Sequence, residues 1–167
     1  TCFRYAVPEL MGFKGRAIYT DVDQLNFKDI SELYEIDLED RAFAMTWDGL
    51  HDNGYSWANT KHDKGWFCDS VMVIDCKKAK EFISPIEEIK QYPNNYKHSF
   101  IKKMGNPYRD IGEERITLLD PRWNSFDGRN TSNRPENDDM DLIPQFELDD
   151  IWHLHFTSLS TQPWHPI

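Results

Sequence analysis

Arg16-Ala17-Ile18-Tyr19-Thr20-Asp21-Val22-Asp23 carries an apolar strand straight into two aspartates two positions apart. A β-strand sends residues i and i+2 to the same face, so the carboxylates of Asp21 and Asp23 are expected to aim at one point. Two carboxylates gathered at the end of a buried strand are costly unless a cation joins them. Asp-x-Asp is also common as a cap or turn, so the pair by itself marks a candidate metal site and nothing finer.

Upstream of this stretch, Phe3 to Met11 has helix-like apolar spacing and stops at Gly12, with Gly15 completing a turn. Ala17 to Tyr19 reads as a short buried strand. Downstream, Asp29 is placed to N-cap a helix over about Ile30 to Ile36, whose Ile30, Leu33 and Tyr34 share a face. Ala42 to Thr46 reads as a second strand and Phe67 to Asp75 as a third, with Val71-Met72-Val73-Ile74 as its apolar run. Between them, Trp47 to Gly65 is polar and reads as a long surface loop. Lys77 to Tyr92 is helical with an interruption at Pro85. Arg115 to Leu119 reads as a short strand, Asn124 to Asp141 as a flexible insertion, and Ile151 to Phe156 as a closing strand. Strands alternating with helices predict an α/β layered sheet.

The 167 residues fit one domain, 1–167. Nineteen Lys and Arg against 29 Asp and Glu give a formal charge of −10, which repels nucleic acid and anionic membranes. A protein this acidic needs a cation to hold a phosphorylated ligand. Mean hydropathy is low, at −0.72, yet six Trp, seven Tyr and ten Phe argue for a folded chain. Cys2, Cys68 and Cys76 are too few and too irregular for a disulfide framework or a zinc site, so they are expected to be reduced thiols in a cytoplasmic protein. No apolar run approaches the roughly 20 residues of a membrane span, and no signal peptide is visible. Thr1 opens the chain without an initiator Met, as expected of a piece of a longer polypeptide.

Four blocks carry a resemblance: Phe3-Arg4-Tyr5-Ala6-Val7-Pro8-Glu9-Leu10, Gly15 to Asp23, Phe67-Cys68-Asp69-Ser70-Val71-Met72-Val73-Ile74-Asp75, and His155-Phe156-Thr157 with Gln162-Pro163-Trp164. In this order they resemble the arginine helix, the "R-A-I-Y-x-D-x-D" core, the "F-N-S-G-V-M-L-I-N" strand and the closing "H-F-x-G…K-P-W" of the family 8 retaining glycosyltransferases. These are the glycogenin and galactosyltransferase type, and the resemblance implies their GT-A fold, a Rossmann-like mixed sheet flanked by helices. It implies a metal site of Asp21, Asp23 and His155 holding Mn²⁺, or Mg²⁺, against the diphosphate of a nucleotide-sugar, with Asp21 also on the donor side. Two carboxylates with an imidazole suit Mn²⁺ better than Ca²⁺. His153, two residues before His155, is the alternative ligand.

The resemblance further implies that Arg4 contacts the donor; its plainer reading is an ion pair with Glu9 or Asp29. Asp69 is the catalytic candidate, positioned at the donor sugar with Ser70 beside it, and Gln162 stands on the diphosphate side. Asp48, His51 and Asp52, in the loop after the second strand, are candidates for the acceptor side.

The sequence departs from the family pattern in several places. The strand-helix-strand unit that holds uracil and ribose has no counterpart, so the domain is expected to be N-terminally truncated. Its exposed sheet edge would then be covered by a partner chain or by self-association. Cys68 replaces the strand's Asn, Asp69-Ser70 replaces Ser-Gly, and Gln162 replaces a lysine. The family's "D-Q-D-x-L-N" motif is unrecognisable, with Glu113 or Glu114 as stand-ins. Two function classes follow. One is a Mn²⁺-dependent transferase moving a hexose from a UDP-sugar to a glycan, lipid-linked or protein hydroxyl with retention. The other is a non-catalytic remnant or interaction subunit of such a complex. A carbohydrate-binding module is a distant third, because the helix signals oppose an all-β scaffold.

Overall fold

The computed structural model describes residues 2–49, 65–91, 116–127, 147–156 and 162–164. A 3-10 turn, Cys2–Ala6, leads into helix α1, Val7–Leu10, and then strand β1, Arg16–Thr20. Strand β2 is Gln24–Asn26, helix α2 Ile30–Tyr34, strand β3 Phe43–Gly49 and strand β4 Gly65–Asp75. Helices α3, Cys76–Ala79, and α4, Ile86–Gln91, come next. Strands β5, Ile116–Leu118, β6, Ser125–Phe126, and β7, His153–His155, complete the described elements, with a 3-10 turn at Pro121–Asn124 before β6.

The main sheet has the order β1-β4-β3-β5. Strand β4 is antiparallel to β1 and β3, and β5 is parallel to β3. A small second sheet, β2-β7-β6, pairs β7 antiparallel to β2 and parallel to β6. The continuous apolar run of β4 is the signature of a strand covered on both faces. Met72 and Ile74 point into one cluster with Tyr5, Phe43, Met45, Ala79 and Ile89, beneath α1, α3 and α4. Val71 and Val73 point into the other, with Leu33, Leu38, Ala44, Leu119 and Trp123, on the α2 side. The result is the expected mixed α/β sheet with helices on both faces.

Local chemistry accounts for the helix ends. Asp29 caps α2 as its sequence position predicts, accepting from Ser31 N–H at 2.9 Å. Pro8 fixes φ and has no N–H, so α-helix begins only around it and the preceding residues wind as a 3-10 turn. Gly12, at φ +62°, ends α1 in the left-handed region where a side chain would be strained. Pro85 separates α3 from α4, and the Glu9 carboxylate accepts from Ile86 N–H at 2.6 Å, tying α1 to the start of α4.

Three boundaries differ from the sequence reading. Helix α2 stops at Tyr34 because Glu35 N–H returns to Ser31 and Ile36 N–H to Leu33, while Arg16 donates to the carbonyls of Tyr34 and Ile36. Trp47 to Gly49 and Gly65, expected in a loop, extend β3 and β4 together with Trp66, pairing Trp47 with Phe67 and Gly49 with Gly65. Cross-strand partners supply ladder bonds that polar composition does not forbid. Asn124 to Phe126, at the head of the expected insertion, belong to the fold: Asn124 and Ser125 are buried. The remainder of that stretch, 128–141, lies outside the described residues, as do His51, Asp52, Glu113 and Glu114.

The ladder between β3 and β4 breaks at one point. Met45 pairs with Met72, but Thr46 pairs with Cys68, so Asp69, Ser70 and Val71 have no partners on β3. A bulge of this kind bends a strand and re-aims its side chains. It lies where β1 ends, since Thr20 pairs with Val71 and Asp21 N–H donates to Ser70 C=O at 2.9 Å.

Candidate metal centre

Strand β1 ends at Thr20, so Asp21 and Asp23 meet in the turn that follows it. Against the expectation from the strand pleat, a turn and not a strand face brings them together. Two backbone bonds hold that turn, Asp21 N–H to Ser70 C=O and Phe156 N–H to Asp23 C=O, each 2.9 Å. The second bond joins the turn to the end of β7, which carries His155. Ligand atoms of Asp21, Asp23 and His155 all lie within 4.8 Å of one another. His155 Nε2 is 3.5 Å from Asp23 Oδ1, so this nitrogen faces the carboxylates. Burial lowers the His155 pKa, against the pull of Asp23, Asp21 and Asp127, and favours the neutral ring whose lone pair can bind a metal. Its Nδ1 is buried without a hydrogen-bond partner among the described residues.

His153, the alternative ligand, is placed elsewhere. It pairs with Asn26 across β2, and its ring lies between the amides of Asn26, 3.2 Å away, and Gln24, 2.9 Å away. Gln24 Oε1 also accepts from Asp21 N–H at 3.1 Å, which connects this buried ring to the metal turn. Burial, with the charge of His155 second, lowers the His153 pKa to about 4. The unfolded chain takes up a proton there near pH 6.5, whereas the folded chain resists until about pH 4. This contribution to stability is whole above pH 6.5 and is lost as the pH falls toward 4. Urea unfolding is expected to show stability dropping by about 2 kcal/mol from this group between pH 7 and 5, with a smaller drop in His153→Gln.

Arg4 is buried, and its guanidinium bridges two carboxylates. One nitrogen donates to Asp21 at 2.9 and 3.0 Å, and the other to Asp69 Oδ1 at 2.6 Å. Neither Glu9 nor Asp29 is its partner. Burial opposes its charge, but Asp69 and Asp21 more than offset that and raise its pKa. The Tyr5 hydroxyl donates to the second oxygen of Asp69. Burial first, then the Asp69 charge and this bond, push the Tyr5 pKa well above 10 and keep the phenol protonated. Tyr19 donates to Asp21, and its ring lies 5.1 Å from the Arg4 guanidinium carbon.

Ser70, expected to face substrate, is turned inward. Its hydroxyl donates to Asn124 Oδ1 at 3.0 Å, and Asn124 Nδ2 donates to Thr46 at 3.1 Å, all three residues being buried. Asn124→Ala would remove the bonds to the Ser70 and Thr46 hydroxyls, leaving Ser70 its weaker contact with Cys68 Sγ at 3.2 Å, and is expected to cost about 2 kcal/mol in urea unfolding. Gln162 accepts from Trp164 Nε1 at 3.1 Å, and Trp164 stacks edge-on against Phe156, at 5.5 Å, next to His155. The start of β7 is fixed through Trp152. The Trp152 ring has Lys28 on it at 3.6 Å and Arg122 at 3.7 Å, and meets Trp123 edge-on at 5.3 Å. Tyr5, Gln24 and Asn124 were invisible as site residues in the sequence. Only the spacing of Tyr19, two positions before Asp21 on one strand, could have placed it.

No protein-family model matches the sequence, and no curated protein does. Solved structures do match. The galactosyltransferase LgtC, in complex with donor and acceptor sugar analogs, is 17% identical with a TM-score of 0.54, over 97% of this chain and 59% of its own. Glycosyltransferase GlyE of Streptococcus pneumoniae TIGR4 is 17% identical with a TM-score of 0.55, over 98% of this chain and 39% of its own. Mouse xyloside xylosyltransferase 1, in its apo form, is 16% identical with a TM-score of 0.56, over 99% of this chain and 64% of its own. The fold is a glycosyltransferase fold. It is of the GT-A type anticipated from the four blocks, and the chain spans under two thirds of the length of each of these structures. Among the described residues no helix is long and apolar enough to cross a membrane.

Proposed function

We propose that this chain is the metal-binding part of a retaining, Mn²⁺-dependent glycosyltransferase of the family 8 type. It would move a hexose from a nucleotide-sugar, a UDP-sugar by resemblance, to a hydroxyl of a glycan, lipid-linked or protein acceptor. The observation that carries the reading is the meeting of Asp21, Asp23 and His155, from a turn and a separate sheet, on a glycosyltransferase fold. The donor set fits the metal. The Arg4 guanidinium bridges Asp21 and Asp69, while Asp23 lies against His155 and Asp127 adds to the negative field there, so a net negative charge lies beside the imidazole. A divalent cation neutralises that charge, and two oxygens with one nitrogen suit Mn²⁺ or Mg²⁺.

When bound, the cation would supply Lewis-acid stabilisation of the leaving diphosphate. Asp21 and Asp23 would hold it from the turn and His155 from β7 through Nε2. In this class the departing phosphate can take the acceptor's proton, so no base from the chain is needed. Location in a reducing compartment such as the cytoplasm accords with the free thiols of Cys68 and Cys76.

The test is calorimetric titration of UDP into the folded protein with and without Mn²⁺. Heat that appears only with Mn²⁺ is the expected result. Absence of binding in both conditions would favour the second reading, an interaction subunit, to which the neutral Gln162 already lends weight.

A further inference from the structure

We infer that Arg4 is a positioning residue for the first metal carboxylate, and that Asp69 and Tyr5 serve to hold Arg4 rather than to touch the sugar. The inference rests on the metal-dependent reading above and reassigns two residues of its site. One Arg4 nitrogen reaches both oxygens of Asp21, so the guanidinium sets that carboxylate's rotation. Its other nitrogen is drawn to Asp69 Oδ1 at 2.6 Å. The second oxygen of Asp69 takes the Tyr5 hydroxyl, so both its oxygens are engaged by protein donors. Asp69 can make these bonds because the bulge frees it from the β3 ladder and lets it turn toward the 3-10 segment carrying Arg4 and Tyr5.

The arrangement also sets how strongly Arg4 competes for Asp21. Shared between two carboxylates, the guanidinium leaves Asp21 available to a cation. With Asp69 neutralised, more of its charge would fall on Asp21 and the local field would lose one negative charge. Both effects weaken metal binding. Outer groups that orient a ligand commonly change metal affinity by about 10- to 100-fold when removed.

The experiment titrates Mn²⁺ alone into wild type, Asp69→Asn and Tyr5→Phe, following the resonance of free Mn²⁺ by electron paramagnetic resonance. The expected result is an affinity weakened by about tenfold in Asp69→Asn and less in Tyr5→Phe. Turnover of Asp69→Asn should recover at saturating Mn²⁺, because a positioning residue acts through the metal site; a carboxylate acting on the sugar would leave kcat low. Unchanged Mn²⁺ affinity, or kcat that stays low at saturation, would overturn the inference. Failure of wild type itself to bind Mn²⁺ would instead overturn the functional reading, and a metal-free readout then decides the anchoring. Tyr5→Phe is expected to lower Tm in the wild-type background and not in Asp69→Ala, or in Asp69→Leu should the alanine variant not fold. Equal losses in both backgrounds would refute the anchoring.

Discussion

Asp23→Ala is expected to abolish Mn²⁺-dependent UDP binding, leaving any residual heat the same with and without metal. Asp23 contributes a carboxylate from a turn whose backbone is pinned to Phe156 and, through Asp21, to Ser70, so truncating its side chain leaves the turn in place. The loss should therefore fall on ligation and not on folding. Two ligands in place of three, with one fewer negative charge, is expected to weaken the metal by at least about 100-fold and to lower turnover accordingly. Thermal unfolding of the variant should match wild type within a few degrees. A variant that retains wild-type Mn²⁺ dependence would exclude Asp23 as a ligand.

The second large effect is on stability. Arg4→Met keeps the length and apolar stem of the side chain but leaves Asp21 and Asp69 facing each other without the cation between them. Removing one member of a buried ion pair costs about 3 to 5 kcal/mol, because the remaining charge loses its counter-ion without regaining water. Asp21 retains some solvent, with a fifth of its side chain exposed, so a loss of about 3 kcal/mol is expected here. Urea unfolding measures it directly. Arg4→Lys should recover only part of it, since an ammonium cannot make the two-pronged contact to Asp21 while also reaching Asp69. A loss below about 1 kcal/mol for Arg4→Met would mean that the bridge is no stronger than a surface pair.

The legible parts of the fold were those where side-chain chemistry acts locally. The apolar run of Val71 to Ile74, the Asp29 cap and the Pro85 break each follow from properties of adjacent residues, and each is found where it was read. The long arms of β3 and β4 were not legible. Trp47 to Gly49, Gly65 and Trp66 are strand only because of pairing across the two arms, and pairing across a long connection leaves no periodic trace in either segment. Within the site, the resemblance singled out Asp21, Asp23 and His155, and the structure gathers them. Sequence could not show that a turn gathers the aspartates, or that His153 is held by the Gln24 and Asn26 amides. Asp69, Arg4 and Tyr5 form one network through a register break, and a break in register is a property of two strands together. Ser70, expected at the donor sugar, faces Asn124 for the same reason: which way a bulged residue faces is decided by its neighbours in space.

Trp152, clasped by Lys28 and Arg122 and set edge-on to Trp123, gives the protein a built-in optical gauge. Two indoles 5.3 Å apart and inclined at 67° couple their transition dipoles, and such coupling splits into a signed doublet in ultraviolet circular dichroism. One of these indoles leads directly into the strand that bears His155, and the other lies in the turn before β6. The doublet thus tracks whether the small sheet is docked against the main one. Its disappearance before the loss of overall helicity, during heating or acid titration, would mark the moment at which the imidazole leaves the aspartates while the rest of the fold stands.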